Sequence, residues 1–191
     1  MATTSITTSS PTPATAHRAS GAGQVALAVA RIGLGFVFLW AFLDKMFGLG
    51  YGTGSAKSVL NGGSPSKGFL SHVNVGPLQS FFHSIAGVGI VDWIFMISLL
   101  GIGVAMILGA GLRIAAVSSV VLLLGMWAAE WPMAQFAADG TASGSQNPFV
   151  DYHIVYALLA VVLGFFATGS RLGLGHWWST LGVVRKHPVL V

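Results

Sequence analysis

Six ionisable side chains fall at the ends of apolar stretches of the chain. Asp44 and Lys45 close one stretch, Asp92 opens a second, Glu130 closes a third, and Asp151 with His153 opens a fourth. Carboxylates and an imidazole gathered in one layer could exchange protons, because histidine changes charge near neutral pH. At helical spacing Asp44 shares a face with Gly33, Val37 and Trp40, and His153 shares one with Phe149, Tyr156 and Ala160. That spacing allows Asp44, His153 and Tyr156 to point to a common interior, and Glu130, four residues after Met126, could join them. Two interpretations stand side by side. The acids are helix caps and interface ion pairs, since Asp92 and Asp151 at helix starts would be stabilised by the helix dipole, or the layer lines a polar pocket. No metal site is expected: His72, His83 and His153 have acids nearby, but no H-x-x-x-H or H-E-x-x-H spacing occurs.

The elements that must position these groups follow from composition. Of 191 residues, 54% are hydrophobic and 7% charged, against about 25% charged in soluble domains, which excludes an ordinary water-soluble enzyme. Mean hydropathy is +0.78. With no cysteine the chain can form no disulfide, thiolate nucleophile, iron–sulfur cluster or covalently attached haem, so any redox chemistry needs a diffusible or non-covalent cofactor. Apolar runs at about 25–47, 88–108, 112–129 and 148–168 each approach the roughly 20 residues needed to cross a bilayer as helix. The fold expected is all-α, an integral membrane four-helix bundle over residues 24–170. A Thr/Ser/Pro-rich disordered tail (1–23) precedes it, and a cytoplasmic tail (171–191) follows. The first span is expected to act as an uncleaved signal anchor. Asn147 and Pro148 are placed to cap and begin the fourth span.

With four spans the termini share one side. That side holds Arg18, Arg31, Arg113, Arg171, Arg185 and Lys186, whereas the other holds three lysines and all five acids. The formal charges are +6 and −2, giving the net +4. The positive-inside rule puts both termini in the cytoplasm, and the sequence pI of about 9.9 reflects helix-end cations facing lipid headgroups, with no nucleic acid implied. Small-residue stripes, Gly101/Ala105/Gly109 and Ala160/Gly164/Thr168, are expected at helix contacts. The outer loop begins with Gly48, Gly50, Gly52 and Gly54 but lacks phosphate-cradle spacing. Within it Leu78, Phe81, Phe82 and Ile85 follow Pro77 at the spacing of a short amphipathic helix, leaving Gln79 and His83 for water or a polar neighbour. Arg31, two turns inside the first span without an acid on its side, must either snorkel to lipid phosphate or bond helix-end carbonyls near Leu108 or a bound headgroup.

Arg31-Ile32-Gly33-Leu34-Gly35 followed by Lys45 resembles the opening R-x-x-L-G…K pattern of the DoxX and DoxD families of small four-helix membrane proteins. The segments Asn147-Pro148-Phe149-Val150-Asp151-Tyr152-His153 and Gly169-Ser170-Arg171-Leu172-Gly173-Leu174 resemble the DoxD-like, thiosulfate-dehydrogenase branch. The resemblance covers about residues 25–180, and the order of its short motifs carries it. It departs at Gly175-His176, where relatives have an acidic or basic residue. The resemblance implies, for DoxD, a subunit that passes electrons from thiosulfate to quinone with a second subunit. DoxX relatives are associated with membrane redox complexes that protect against oxidative stress. The matching positions are Arg31, Lys45, Asn147, Asp151 and Arg171.

The resemblance and the outer polar layer near Trp40, Trp127 and Trp131 together lead to the expectation of a quinone-linked redox subunit in a bacterial plasma membrane. Asp151 and His153 would handle protons as the catalytic pair. Arg31 or Lys45 would hold an anionic or quinone oxygen, and Asp44, Glu130 and Tyr156 would complete the binding site. Quinone is the diffusible cofactor; membrane lipids and a second redox subunit, or further copies of the chain, are the partners. The alternative is a non-catalytic accessory subunit of a respiratory or stress-response assembly, since no catalytic motif is present. A small-solute carrier is disfavoured by the lack of an inverted repeat or a broken helix.

Overall fold

Backbone in lipid finds no water and must bond to itself, so long apolar runs become helices. A computed structural model describes residues 21–166, 169 and 172–190. Helices are α1 (Gly21–Phe47), α2 (Pro65–Leu70), α3 (Gln79–Ile85), α4 (Gly89–Leu108), α5 (Leu112–Glu130), α6 (Tyr152–Phe166), α7 (Gly175–Thr180) and α8 (Gly182–Lys186). Among the described residues there is no β-strand, and two isolated bridges, Leu49 with Gly54 and Phe136 with Ala142, close loops. Three helices, α1, α4 and α5, are long and apolar enough to cross a membrane, and α6 is apolar but spans 15 residues. The side chains they turn outward are apolar: Ile90, Ile94 and Ile97 on α4, and Val117 and Val121 on α5, are all exposed. Patches of this kind are rare on soluble monomers and suit a lipid surround.

The apolar helices meet as α1 on α4, α4 on α5, α5 on α6 and α6 on α1. Their shared core contains Leu34, Phe38, Met96, Met106, Leu123 and Leu163. Helix approach in lipid relies on small residues, because lipid tails are as apolar as leucine. The α1/α4 seam closes at Gly103, where a Cβ would come within 2.7 Å of the Leu39 backbone nitrogen; Gly101, by contrast, faces open space. Of the stripe expected on α4, Gly109 makes a close contact, with the Arg31 guanidinium of α1, whereas Gly101 does not and Gly103, on a different face, takes its place. On α6 the expectation holds at Ala160, fully buried, and at Gly164, where a Cβ would lie 2.5 Å from that of Ala116. Thr168 lies outside the described residues.

Helix α6 begins four residues later than Pro148 because Asp151 takes the cap. Its Oδ1 accepts from the backbone N–H groups of His153 (3.0 Å) and Ile154 (3.2 Å), the two donors an N-cap side chain satisfies. Asn147 instead closes a local turn, accepting from the N–H groups of Phe149 and Val150. Helix α1 starts at Gly21, inside the segment read as tail, and residues 1–20 lie outside the description. The C-terminal segment is folded back and does not trail free over the described residues. Val184 is buried, Trp178 Nε1–H donates to the Leu190 carbonyl, and Arg113 donates to those of Pro188 and Val189.

Over the opposite end of the helices, α2 and α3 form a small second core of Leu70, Val73, Phe82 and Ala129. The expected amphipathic helix is present as α3, with Phe82 buried and Phe81 exposed. Its polar face finds a carbonyl: Gln79 Nε2–H donates to the Val73 oxygen at 3.1 Å, and His83 Nε2 lies 2.7 Å from the same atom.

Candidate functional site

Helices α5 and α6 run side by side, so the end of one faces the beginning of the other. Glu130, the last residue of α5, thereby comes beside Asp151 and His153 at the start of α6. His153 is fully buried, with Nδ1 2.8 Å from Asp151 Oδ2 and 3.9 Å from Glu130 Oε2. An ionised carboxylate can only accept, so Nδ1 donates in this pair and Nε2 is the second ring nitrogen. That Nε2 is buried without a hydrogen-bond partner among the described residues, as is the indole N–H of Trp127, one turn before Glu130.

Each carboxylate commits one oxygen to the protein and turns the other toward the imidazole. Asp151 uses Oδ1 for the helix cap, and Glu130 Oε1 accepts from the Tyr152 hydroxyl at 3.2 Å. The Tyr152 ring lies 3.9 Å from that of His153 and 6.1 Å, edge-on, from that of Tyr156. One ligand atom each from Glu130, Asp151 and His153 falls within 4.8 Å of the others. Such a set could also hold a divalent cation, a possibility that sequence spacing did not reveal because its members come from two helices. The chain leaves α5 sharply. Trp131 sits at φ 43°, a conformation costly for a bulky residue, and its ring packs on Gly76, whose own φ of 95° no side chain would favour.

Glu130, Asp151 and Tyr152 line a cleft of about 830 Å³ whose other walls include Phe69, His72 and Asn147. That volume lies within the range of small-molecule sites, about 300–1,000 Å³. His72 makes its own local bond to the Gly68 carbonyl at 2.8 Å.

The remaining candidates lie elsewhere. Asp44 is buried under the glycine-rich loop, its oxygens accepting from the N–H groups of Tyr51 (3.1 Å) and Gly52 (3.0 Å). The glycines thus wrap a carboxylate of the chain itself. Lys45 lines a second, more apolar cavity. Asp92 Oδ1 accepts from the Ser66 N–H at 2.8 Å and ties α2 to the start of α4. Arg31 does not snorkel: it is fully buried and donates to the carbonyls of Met106, Ile107 and Leu172. It belongs to the far end of the helices, fastening the last turn of α4, whose carbonyls lack helical partners. Tyr156 is half-buried behind Tyr152, and Arg171 lies outside the described residues. The site expected from the sequence therefore divides, with Glu130, Asp151 and His153 together, Tyr156 adjacent, and Asp44, Lys45 and Arg31 apart.

No protein-family model, curated protein or solved structure matches the chain.

Proposed function

We propose that the chain is a DoxX/DoxD-like membrane redox subunit that passes electrons from thiosulfate or another reduced sulfur donor to quinone, together with a partner subunit. In this reading α1, α4, α5 and α6 form a four-helix bundle in a bacterial plasma membrane, with both termini cytoplasmic. The separation of cationic and acidic helix ends supports that orientation. The observation that carries the functional reading is the pair of Asp151 and the buried His153 beside Glu130, with Asp151 and Glu130 lining a cleft large enough for a quinone ring.

Quinone supplies the two-electron, two-proton chemistry that a cysteine-free chain does not provide. Asp151 holds the His153 ring through Nδ1, as carboxylates orient imidazoles in acid–base sites. Glu130 and Tyr152 present a carboxylate and a hydroxyl at the cleft wall, where the O–H of a reduced quinone could donate to the carboxylate. The full burial of His153 keeps bulk water from competing for the same bonds.

Titrating the purified protein in mild detergent with a short-chain quinone, and following quenching of tryptophan emission, tests binding. Saturable quenching, weakened by Glu130→Gln and by His153→Ala in folded protein, is the expected result. Quenching that rises without saturation, or that neither substitution alters, would remove the cleft as a quinone site and favour the accessory-subunit reading.

A further inference from the structure

The second cavity, about 1,000 Å³, is separate in character from the Glu130–Asp151 cleft. It is predominantly apolar and runs between α4 and α5 beneath α2 and α3. Along α5 it is lined from Met126 to Val117, a depth of roughly 13 Å at the helical rise of about 1.5 Å per residue. Phe69 and Phe82 lie at its α2/α3 end, Ile94 and Phe95 of α4 form the facing wall, and because Ile94, Val117 and Val121 are exposed the slot is open along its side to the surround. Its polar end holds two lysines, Lys45 and Lys57. Neither forms an ion pair within 4.0 Å among the described residues. The carboxylate adjacent to Lys45 is Asp44, whose oxygens accept from the Tyr51 and Gly52 N–H groups; two lysines against this one acid leave the mouth with net positive charge.

We propose that this cavity is a binding site for an anionic phospholipid, with one acyl chain in the slot between α4 and α5 and the phosphate at Lys45 and Lys57. A long apolar groove that opens to the lipid along its side and ends in cations matches an amphiphile with an anionic head. A quinone, whose headgroup is neutral, satisfies the slot but leaves the net positive charge of the mouth uncompensated. A free phosphate satisfies the lysines but leaves the slot empty. The inference stands apart from the redox reading, since it uses neither the Asp151–His153 pair nor electron transfer.

The test is native mass spectrometry of the purified full chain after exchange into mixed phosphatidylglycerol/phosphatidylcholine micelles. Three variants accompany it: K45Q/K57Q, G125F, and the two combined. Gly125 lines the slot and a Cβ there meets nothing within 4 Å, so Gly125→Phe fills the cavity without forcing the backbone. Wild type is expected to retain one phosphatidylglycerol in preference to phosphatidylcholine, by about fivefold for each lysine that faces the headgroup. K45Q/K57Q loses the preference while retaining lipid, and G125F lowers retention of both lipids. Equal retention of the two lipids by wild type, or unchanged preference in K45Q/K57Q, overturns the assignment. Complete displacement by glycerol phosphate would make it a phosphate site, and preferential displacement by quinone would make it a quinone site; either result also overturns it. The variants' thermal melting checks that they are folded, and the readout is independent of quinone reduction.

Discussion

Arg31 is a buried cation that donates to the backbone carbonyls of Met106, Ile107 and Leu172, and its replacement tests how the far end of the helices is held. Arg31→Met keeps the unbranched apolar stem and removes the donors to Met106, Ile107 and Leu172. Hydrogen bonds from a charged group contribute about 1.5–3 kcal/mol each, and the positive charge at the α4 C-terminus adds up to about 2 kcal/mol through the helix dipole. Against this, removing the guanidinium relieves a burial cost of several kcal/mol. The net loss is about 3 kcal/mol, a fall in melting temperature of roughly 6–12 °C for a chain of this size. Arg31→Lys should lie between, since a single ammonium cannot span the α4 end and Leu172 as the planar fork does. Gly109→Ala approaches the same contact from the other side. Its Cβ would come 2.6 Å from Arg31 Nη1, at a residue with φ of 70°, so it should also lower the melting temperature. Melting in mild detergent, followed by circular dichroism, measures all three. An Arg31→Met protein melting within about 2 °C of wild type would refute the reasoning.

Gly164→Leu should force α5 and α6 apart at Ala116 and destabilise by about 1–3 kcal/mol, seen in the same melts; an unchanged melting temperature would mean that this contact is not close. Asp44→Ala removes the acceptor for the Tyr51 and Gly52 N–H groups, so limited proteolysis should cut the 48–57 loop faster than in wild type, and equal cutting would contradict the role of Asp44 as its anchor. Asp139 is held below the usual carboxylate range, first by the Thr141 hydroxyl and then by the Thr141 backbone N–H. A depressed carboxyl pKa adds stability present above the unfolded pKa, near 3.9, and lost as pH falls through the folded value. The Thr141 amide signal should therefore hold steady from neutral pH to about 4 and shift only below it, and Thr141→Ala should move the carboxyl titration upward.

The long helices were legible because apolar runs and their breaks carry the signal. Helices α4 and α5 fall within a residue of their expected ends, with Gly109 and Gly111 in left-handed conformations between them. The start of α6 was less legible, since Asn147 and Asp151 are both good caps and only the folded chain selects between them. Glu130, Asp151 and His153 could be named from the sequence, but their meeting depends on the rotation of α5 against α6. The surroundings of Asp44 left little pattern to find, because the N–H groups of a glycine-rich loop hold it; for Arg31 the sequence already offered helix-end carbonyls near Leu108, and the fold selects these over lipid phosphate. Likewise, the burial of Gly103 in place of Gly101 is a matter of helix rotation, which a four-residue stripe does not fix.

The proposed redox role is tested most directly by thiosulfate-dependent quinone reduction in native membranes, with the chain deleted, restored, or restored as His153→Ala, so that any partner subunit remains present. The expected result is loss on deletion, recovery with wild type, and no recovery with His153→Ala at equal membrane abundance. An unchanged rate on deletion, or full recovery with His153→Ala, would contradict it.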